Sequence, residues 1–145
     1  MEAKVSDVLR HKGDRVITVM PQQTVAAAVQ LLTKNRIGAA PVIDEQGRVV
    51  GIISERDIIR GLSENADALL ALPVGQLMTR EVKTCLSDDR LVDLMQVMTL
   101  QRIRHLPVVH DGALCGIVSI GDVVKQRLEE VQSEVEDLHR YIRSP

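Results

Sequence analysis

The sequence predicts an α/β fold, more specifically an α+β sandwich of two β-α-β-β-α units related by a pseudo-two-fold axis, with an extended C-terminal helix. Three observations support this prediction. Residues 36–57, RIGAAPVIDEQGRVVGIISERD, are repeated at residues 102–122 as RIRHLPVVHDGALCGIVSIGD. Each copy follows a helical pattern of the same apolar phase, and each contains two apolar runs joined by a short turn with glycine. Two copies of so long a unit indicate an internal duplication rather than a solenoid.

Composition and charge place the chain among globular proteins and argue against several classes of partner. Of the 145 residues, 45% are hydrophobic and 26% are charged, which suits one folded domain rather than a disordered chain. The net charge of -2 gives no broad electrostatic surface for nucleic acid or an anionic membrane. Charges interrupt every apolar stretch before about 18 residues, and residues 1–14 lack an apolar signal-peptide core. We therefore expect a cytoplasmic protein without nucleic-acid or membrane partners.

Each unit is predicted to begin with a short β-rich run, residues 16–19 in the first copy and 82–85 in the second. Pro21 and Ser87 mark the turns that follow these runs. A helix comes next in each copy, because apolar residues recur at i, i+3, i+4 and i+7. Those positions are Val25, Ala28, Val29 and Leu32 in the first copy, and Leu91, Leu94, Met95 and Met98 in the second.

Two strands and a second helix are predicted to complete each unit. The second helix begins near Ser54 in the first copy and near Ser119 in the second. Residues 61–73 join the copies and are predicted to form a short helix ended by Pro73. The strands are residues 39–43 and 49–53 in the first copy and 105–109 and 114–118 in the second, with Gly47 and Gly112 in the turns. The predicted division is a first unit at 1–65, a second at 66–125 and an extended helix at 126–145, the two units forming one compact module.

The C-terminal segment carries an apolar stripe of heptad spacing. Its apolar residues alternate in steps of four and three, as in the seam of a coiled coil, and Glu and Arg flank them. The stripe either packs along the chain's own fold or pairs with a partner subunit, and the sequence leaves both interpretations open. Its members are Val124, Leu128, Val131, Val135, Leu138 and Ile142.

The pattern Gly-x-x-Ser-x-x-Asp occurs once in each copy, ending at Asp57 and at Asp122. One interpretation is mechanical, since Ser followed three residues later by Asp, ahead of an apolar helix, is a variant of the capping box. The other interpretation is chemical. A carboxylate at a helix start can hold the two adjacent hydroxyls of a ribose, while a Ser hydroxyl and free backbone N–H groups take phosphate oxygens. The duplication favours the chemical interpretation, because two similar units create two related clefts.

The order β-α-β-β-α, with an apolar-Pro-Val strand, a glycine hairpin and a strand ending in Gly-x-x-Ser-x-x-Asp, resembles the cystathionine-β-synthase (CBS) domain. The two copies together resemble a CBS pair, or Bateman module, over residues 1–125. The resemblance implies a regulatory module, and not an enzyme, that binds AMP, ADP, ATP, NAD(H) or S-adenosylmethionine in clefts between the motifs. It implies a homodimer, no catalytic cofactor, and room for a target protein.

The resemblance also implies two sets of ligand-binding residues, with Asp at the ribose, Ser near phosphate and threonine near adenine. We expect the cleft at Asp122 to bind phosphate more tightly, since Arg104 offers a forked cation and His105 a donor when protonated. Alternatively, Arg104 is a solvated surface charge and His105 a structural residue. The weaker cleft comprises Thr18, Gly38, Ala39, Ala40, Pro41, Ser54, Arg56 and Asp57, and the stronger cleft comprises Thr84, Arg104, His105, Leu106, Pro107, Ser119, Gly121 and Asp122.

Recognisable catalytic motifs are absent from the sequence. The four histidines form no metal-spaced pair, and the chain has no Walker lysine loop, no Gly-x-Gly-x-x-Gly and no nucleophile elbow. Cys85 and Cys115 lack metal or redox spacing and are predicted to be structural thiols. We therefore expect no catalytic residue and no metal site. Two rival functions are a structural adaptor that acts through its C-terminal helix with empty clefts, and a weak nucleotide hydrolase.

Overall fold

The strands form two separate antiparallel hairpins flanked by helices, in a computed structural model that describes residues 2–13 and 15–143. Residues 1 and 14 of the predicted first unit and residues 144–145 of the predicted C-terminal helix lie outside the described residues. The helices are α1 (Val5–Lys12), α2 (Val25–Asn35), α3 (Glu55–Asn65), α4 (Val74–Leu77), α5 (Leu91–Gln101) and α6 (Ile120–Arg143), and the strands are β1 (Ala39–Ile43), β2 (Val49–Ser54), β3 (His105–His110) and β4 (Ala113–Ser119). The predicted α+β class and the long last helix are confirmed.

The two hairpins have the same register, as the sequence repeat requires. Ser54 and Ser119, the last residues of β2 and β4, pair with the first residues of β1 and β3. Each motif serine therefore lies at the junction between a strand and the helix that follows it. Gly47 and Gly112 adopt φ values of 78° and 82° in the hairpin turns, a conformation that suits a residue without Cβ.

The β-rich runs at residues 16–19 and 82–85 do not form the predicted strands. Val19 alone bridges to β1, and its N–H donates to the Pro41 carbonyl at 3.1 Å. The preceding step of a parallel ladder would need an N–H from Pro41 itself, which proline lacks. The second copy repeats this arrangement, because a proline occupies the same register position of β3. Each predicted strand is therefore a single-residue bridge.

The molecule has two apolar cores, one for each sequence copy. Each core also contains the helix that comes just before the other copy in the chain. Helix α1, which the sequence patterns did not predict, enters the second core through Val5 and Val8, whereas α4 enters the first core through Val74. The predicted boundary after residue 65 therefore separates the sequence repeats but not the cores. The first core consists of Val19, Ala28, Leu32, Ala40, Val42, Ile53, Val74 and Met78, and the second of Ala3, Val5, Val8, Cys85, Leu91, Leu94, Met98, Leu106, Val108, Val118 and Val123.

The connection between the copies is mostly helical. Helix α3 continues to Asn65, and the helix predicted within residues 61–73 is a short 3-10 helix, Leu69–Ala71. Leu69 is buried and anchors this segment. Pro73 directly follows the C-cap of this 3-10 helix, as predicted, and is also the N-cap of α4, where its missing N–H costs no intrahelical bond.

Helix α6 leaves its heptad stripe uncovered. Val123 at its start is buried in the second core, but Leu128 is 60% exposed and Ile142 is 69% exposed. All of residues 131–143 are exposed, so the second half of the helix packs against no other element. The interpretation in which the stripe packs along the chain's own fold is therefore wrong. Within the described ranges, no helix combines the length and apolar character needed to span a membrane.

Candidate functional site

Each Gly-x-x-Ser-x-x-Asp motif forms a reciprocal cap at the start of a helix. At α3, the Ser54 N–H donates to Asp57 Oδ2 at 2.9 Å and the Asp57 N–H donates to Ser54 Oγ at 3.3 Å. At α6, the same two bonds join Ser119 and Asp122, at 2.9 and 3.1 Å. The mechanical interpretation of the motif is thus confirmed. The two carboxylates differ in their other contacts.

Asp57 is a buried carboxylate that accepts four side-chain and backbone hydrogen bonds. The N–H and the hydroxyl of Ser54 donate to it at 2.9 and 3.0 Å, the Arg60 guanidinium at 2.7 Å and the Thr79 hydroxyl at 3.0 Å. A carboxylate has about four acceptor positions, so Asp57 is fully satisfied. Arg60 is the donor most easily released, since its side chain is 51% exposed whereas that of Asp57 is 3% exposed.

A cavity of about 330 Å³ lies in front of Asp57, between the two motifs. Its volume falls at the lower end of the range of small-molecule sites, roughly 300–1,000 Å³. The lining residues are Gly38, Ala39, Ile52, Ser54, Glu55, Arg56, Asp57, Arg60 and Thr79 on one side and Gln101, Arg102, Ile103, Arg104 and His105 on the other. A second cavity of about 430 Å³ shares Ile52, Thr79, Gln101, Ile103 and His105 with it and adds Glu81, Val82 and Lys83.

Positive charge predominates around the cavity at Asp57. Four arginines line it against two carboxylates, and guanidinium groups are the preferred forked donors for phosphate. The Arg56 guanidinium also donates to the Arg102 carbonyl at 3.4 Å, so one arginine of the first motif contacts the second motif. The arginines are Arg56, Arg60, Arg102 and Arg104, and the carboxylates are Glu55 and Asp57.

Arg102 reaches the cavity because it ends α5 in an unusual conformation. Its φ is 54°, in the left-handed region that side-chain-bearing residues rarely adopt. The chain after it, residues 103–105, leaves the helix axis and lines the cavity. Arg36 ends α2 with the same φ, so the repeat preserves this turn in both copies.

His105 lies where the two motifs meet. Burial, followed by the nearby ammonium of Lys12, lowers the pKa of the His105 imidazole below its usual value, and Asp122 and Glu55 only partly oppose this. The imidazole is therefore neutral at neutral pH and offers one donor and one acceptor. A methyl group added at Gly38 would lie 3.6 Å from both the His105 ring and the Glu55 carboxyl, which shows how closely the motifs approach here.

The structure groups the candidate residues differently from the sequence-based expectation. Arg104, which we expected beside Asp122, lines the cavity with Asp57 instead, whereas His105 lines that cavity and also stays close enough to Asp122 for its charge to act on the imidazole. The reason is the pseudo-symmetry, which places the loop before β3 of one motif opposite the Asp of the other. Five residues of the expected weaker cleft line this cavity: Gly38, Ala39, Ser54, Arg56 and Asp57. The other three residues of that expected cleft, Thr18, Ala40 and Pro41, are not among its lining residues.

The remaining candidates lie away from the cavity at Asp57. Leu106 and Pro107 are buried within β3, as Ala40 and Pro41 are buried within β1. Thr84 is exposed and Thr18 is half-buried, each beside the single-residue bridge of its run. Ser119 is the last residue of β4, and Gly121 and Asp122 lie in the first turn of α6. These three residues belong to the second motif and are not among the lining residues of the cavity at Asp57.

Sequence reasoning missed several residues of the cavity, although some left a signal. Arg60 follows Asp57 by one helical turn, and Arg102 repeats Arg36 in the second copy. Thr79 left no such signal. It enters the site because its backbone N–H and carbonyl each bond to Ile52 of β2 at 2.9 Å, which brings its hydroxyl to Asp57.

Asp122, unlike Asp57, is paired with a cation from a different helix. Lys12 Nζ lies 2.8 Å from Asp122 Oδ2. Burial raises the pKa of Asp122, but the hydrogen bonds from Lys12 and Ser119 outweigh it and hold that pKa below its usual value. The cavity here is about 200 Å³ and is lined by Val8, His11, Lys12, Asp122, Lys125, Gln126 and Glu129.

The thiols are packing groups in this fold. Cys85 is 3% exposed in the second core, and burial, followed by the charge of Asp89, raises its pKa to about 12. Cys115 is half-buried and its Sγ lies 3.3 Å from the Val108 carbonyl oxygen. Because a thiolate is the reactive form, Cys85 is a poor nucleophile at neutral pH. Among the residues that the structure describes, no three His, Cys, Asp or Glu side chains cluster as metal ligands do.

Fold and cleft together define a tandem module, in which two equivalent motifs face each other across a site built from both. The chain belongs to the CBS domain family, whose sequence profile matches residues 5–64 and 74–129. This match confirms the tandem CBS arrangement that the repeat predicted.

Named relatives and solved structures agree with this assignment. The chain is 36% identical, over 96% of its length and 71% of the relative's, to the mitochondrial CBS domain-containing protein CBSX3 of Arabidopsis thaliana. The crystal structure of the CBS-domain protein ATU1752 from Agrobacterium tumefaciens superposes with a TM-score of 0.83 and 41% identity, covering 86% of this chain and 99% of that one.

Two similar structures contain adenosine compounds. The structure of CBSX2 in complex with AMP has a TM-score of 0.72 and 30% identity, covering 87% of this chain and 96% of that one. The CBS domain pair of protein MJ0100, in complex with 5'-methylthioadenosine and S-adenosyl-L-methionine, has a TM-score of 0.80 and 28% identity, covering 90% of this chain and 99% of that one.

Proposed function

We propose that this chain is a regulatory module that binds an adenine nucleotide in the cavity at Asp57. The observation that carries the proposal is the cavity itself, in which a buried carboxylate faces four arginines contributed by both motifs. The AMP in the CBSX2 structure and the adenosyl compounds in the MJ0100 structure support an adenosine-containing ligand. We place the principal site at Asp57 rather than at Asp122, because Arg104 and His105 lie with Asp57.

The role we assign to Asp57 is to hold the ribose hydroxyls. Its acceptor positions are full, so a ribose hydroxyl must displace a donor that is already bound. Arg60 is that donor, since it is half-exposed and free to turn toward a phosphate group. The ligand would thus replace the Arg60–Asp57 ion pair with two charge-assisted contacts, one from a ribose hydroxyl to Asp57 and one from Arg60 to phosphate.

The remaining lining residues divide between the two ends of a nucleotide. Arg102 and Arg104 are the candidates for phosphate. Ile52, Val82 and Ile103 line the adjoining cavity and offer an apolar surface to adenine. The excess of cationic groups favours nucleotides that carry phosphate over S-adenosylmethionine, whose sulfonium adds a positive charge.

We expect AMP to bind the nucleotide-free protein in calorimetric titration more tightly than adenosine or S-adenosylmethionine does. Loss of the phosphate should weaken binding by about 10-fold or more, since each hydrogen bond to a charged group contributes about 1.5–3 kcal/mol. ADP, ATP and NADH in the same series identify the preferred nucleotide. Equal affinity for AMP and adenosine would contradict the phosphate role of the arginines, and absence of binding by every compound would contradict the proposed function.

Such a module would act by changing the equilibrium between two arrangements of its motifs. A nucleotide shifts this equilibrium only to the extent that it binds the two arrangements with different affinities. Arg56 and Arg102 join the motifs at the cavity, so ligand binding there acts on an inter-motif contact. We infer regulation without turnover, and a cytoplasmic location stays a prediction.

We further infer that two copies of the chain pair through α6. The heptad stripe is exposed, and residues 131–143 form a helical segment of about 13 residues without a packing partner, a length that is marginally stable in water. A second copy presents the same stripe, so the two seams can cover each other as a coiled coil. The adaptor function uses the same surface, and dimerisation without any nucleotide binding would favour it.

Charged residues on the stripe are expected to convert the dimer to a monomer. Replacing Leu128 and Val135 by Glu buries like charges in the proposed seam, so sedimentation should show one chain instead of two. Leu100→Glu is the matched control, because Leu100 is 83% exposed on α5, outside the stripe. A wild-type protein that sediments as a monomer at high micromolar concentration would contradict pairing through α6.

A further inference from the structure

We propose that Lys12 closes the cleft at Asp122, so that each chain binds one nucleotide rather than two. This proposal rests on the proposed nucleotide site at Asp57. Lys12 Nζ donates to Asp122 Oδ2 at 2.8 Å and to the Ile117 carbonyl at 3.1 Å. With two partners at hydrogen-bond distance, the ammonium stands in front of the carboxylate, where the hydroxyls of a ribose would have to approach.

The first motif shows what the cleft is like without this lysine. Ile52 and Ile117 occupy the same register position, each opposite the proline of the neighbouring strand. In the first motif the Ile52 carbonyl accepts the backbone N–H of Thr79 at 2.9 Å, whereas the Ile117 carbonyl accepts the side chain of Lys12. The residue beside Asp57 is therefore Thr79, which bonds through its backbone and has a short hydroxyl side chain. The residue beside Asp122 is Lys12, which bonds through the ammonium at the end of its four-carbon side chain.

The space beside Asp122 differs from the cavity at Asp57 in its lining. A cavity of about 200 Å³ at Asp122 is lined by α1 and α6 alone, without the loop before β1, whereas both motifs line the cavity at Asp57. The ion pair is also partly shielded from solvent, since the side chains of Lys12 and Asp122 are 36% and 25% exposed. A pair in such a position is screened less than one on the open surface.

Lys12 differs from Arg60, the cation on the other carboxylate, in how it is held. Arg60 lies one turn from Asp57 on the same helix and bonds to it alone, with half of its side chain exposed. Lys12 comes from α1, which is fixed in the second core through Val5 and Val8. An arginine on its own helix can turn away to a ligand, whereas the lysine is held across two elements.

The test is the number of AMP molecules bound per chain, measured by calorimetry on the full chain. Wild-type protein should bind one, and Lys12→Thr should bind two, because it removes the ammonium and leaves a short hydroxyl side chain like that of Thr79 beside Asp57. Adding Asp122→Asn to Lys12→Thr should return the number to one. Lys125→Thr is the matched control, since Lys125 lines the same cavity without contacting Asp122, and it should leave the number at one.

Each outcome bears on a separate claim. Wild-type protein that binds two AMP, or a folded Lys12→Thr that still binds one, would overturn the role of Lys12 and leave the proposed function standing. If wild-type protein binds no AMP, the proposed site at Asp57 is contradicted. If wild-type protein binds none and Lys12→Thr binds one, the result supports the closure of the cleft at Asp122 by Lys12 but not the site at Asp57. If Lys12→Thr does not fold, Lys12→Met keeps the apolar stem, removes the charge and is expected to give the same increase.

Discussion

Replacing Asp57 by alanine is expected to lower the free energy of unfolding by about 2–3 kcal/mol and the affinity for AMP by about 10- to 100-fold. The stability loss follows from two effects. The N-terminal cap of α3 disappears, and the Ser54 N–H and Thr79 hydroxyl lose an acceptor that is 2% exposed. The affinity loss follows because the ribose hydroxyls lose their charged acceptor. Urea denaturation and calorimetric titration measure the two quantities.

Asp122→Ala is the matched control, because the same motif caps α6. It removes an equivalent cap, so about 1 kcal/mol of stability should be lost. Its carboxylate is half-buried and paired with Lys12, so we expect the affinity for AMP to remain at the wild-type value. An affinity loss in Asp122→Ala with none in Asp57→Ala would show that the principal site lies at the second motif.

Ile53→Ala is expected to destabilise the protein by about 2–5 kcal/mol, the usual cost of cutting a fully buried large side chain back to alanine. Ile53 is 0% exposed at the centre of the first core, in the strand that leads directly to Ser54. The cavity left behind adds to the lost transfer free energy, because the surrounding hairpin cannot collapse fully around it. Equilibrium denaturation gives the value directly.

Ile59→Ala removes the same atoms from a place where they are not buried. Ile59 lies on α3 and is 67% exposed, so its replacement should change the free energy of unfolding by less than about 0.5 kcal/mol. Similar losses in the two variants would contradict the placement of Ile53 in the core and of Ile59 on the surface.

The repeated pattern was enough to predict the hairpins, the helices that flank them and the caps at Ser54 and Ser119. Those features depend on residues close together in sequence, and alternation, glycine turns and capping residues report on such local structure. Even the failure of the first strands has a local cause, because Pro41 and Pro107 were visible in the sequence. Weighing their missing N–H groups would have predicted a single-residue bridge in each copy.

The composition of the cavity was harder to predict, because it depends on which motif faces which. In the sequence, each copy contains its own Asp and its own residues before the Pro-Val strand, so the repeat predicts Arg104 beside the Asp of its own copy. Pseudo-two-fold packing instead brings it to Asp57. Lys12 and Thr79 lie outside the repeated segments, and their positions follow from long-range contacts with β4 and β2. No periodicity in the sequence carries that information.

The placement of α1 in the second core encloses the first core within the chain of the second. Val5 lies in the second core and Val74 in the first, so the chain starts in the second core, builds the whole first core and then returns to the second. The proposed nucleotide site adds a further link, because residues of both motifs line it. We expect nucleotide bound there to protect amides of β3 and β4 from hydrogen exchange as well as those of β1 and β2.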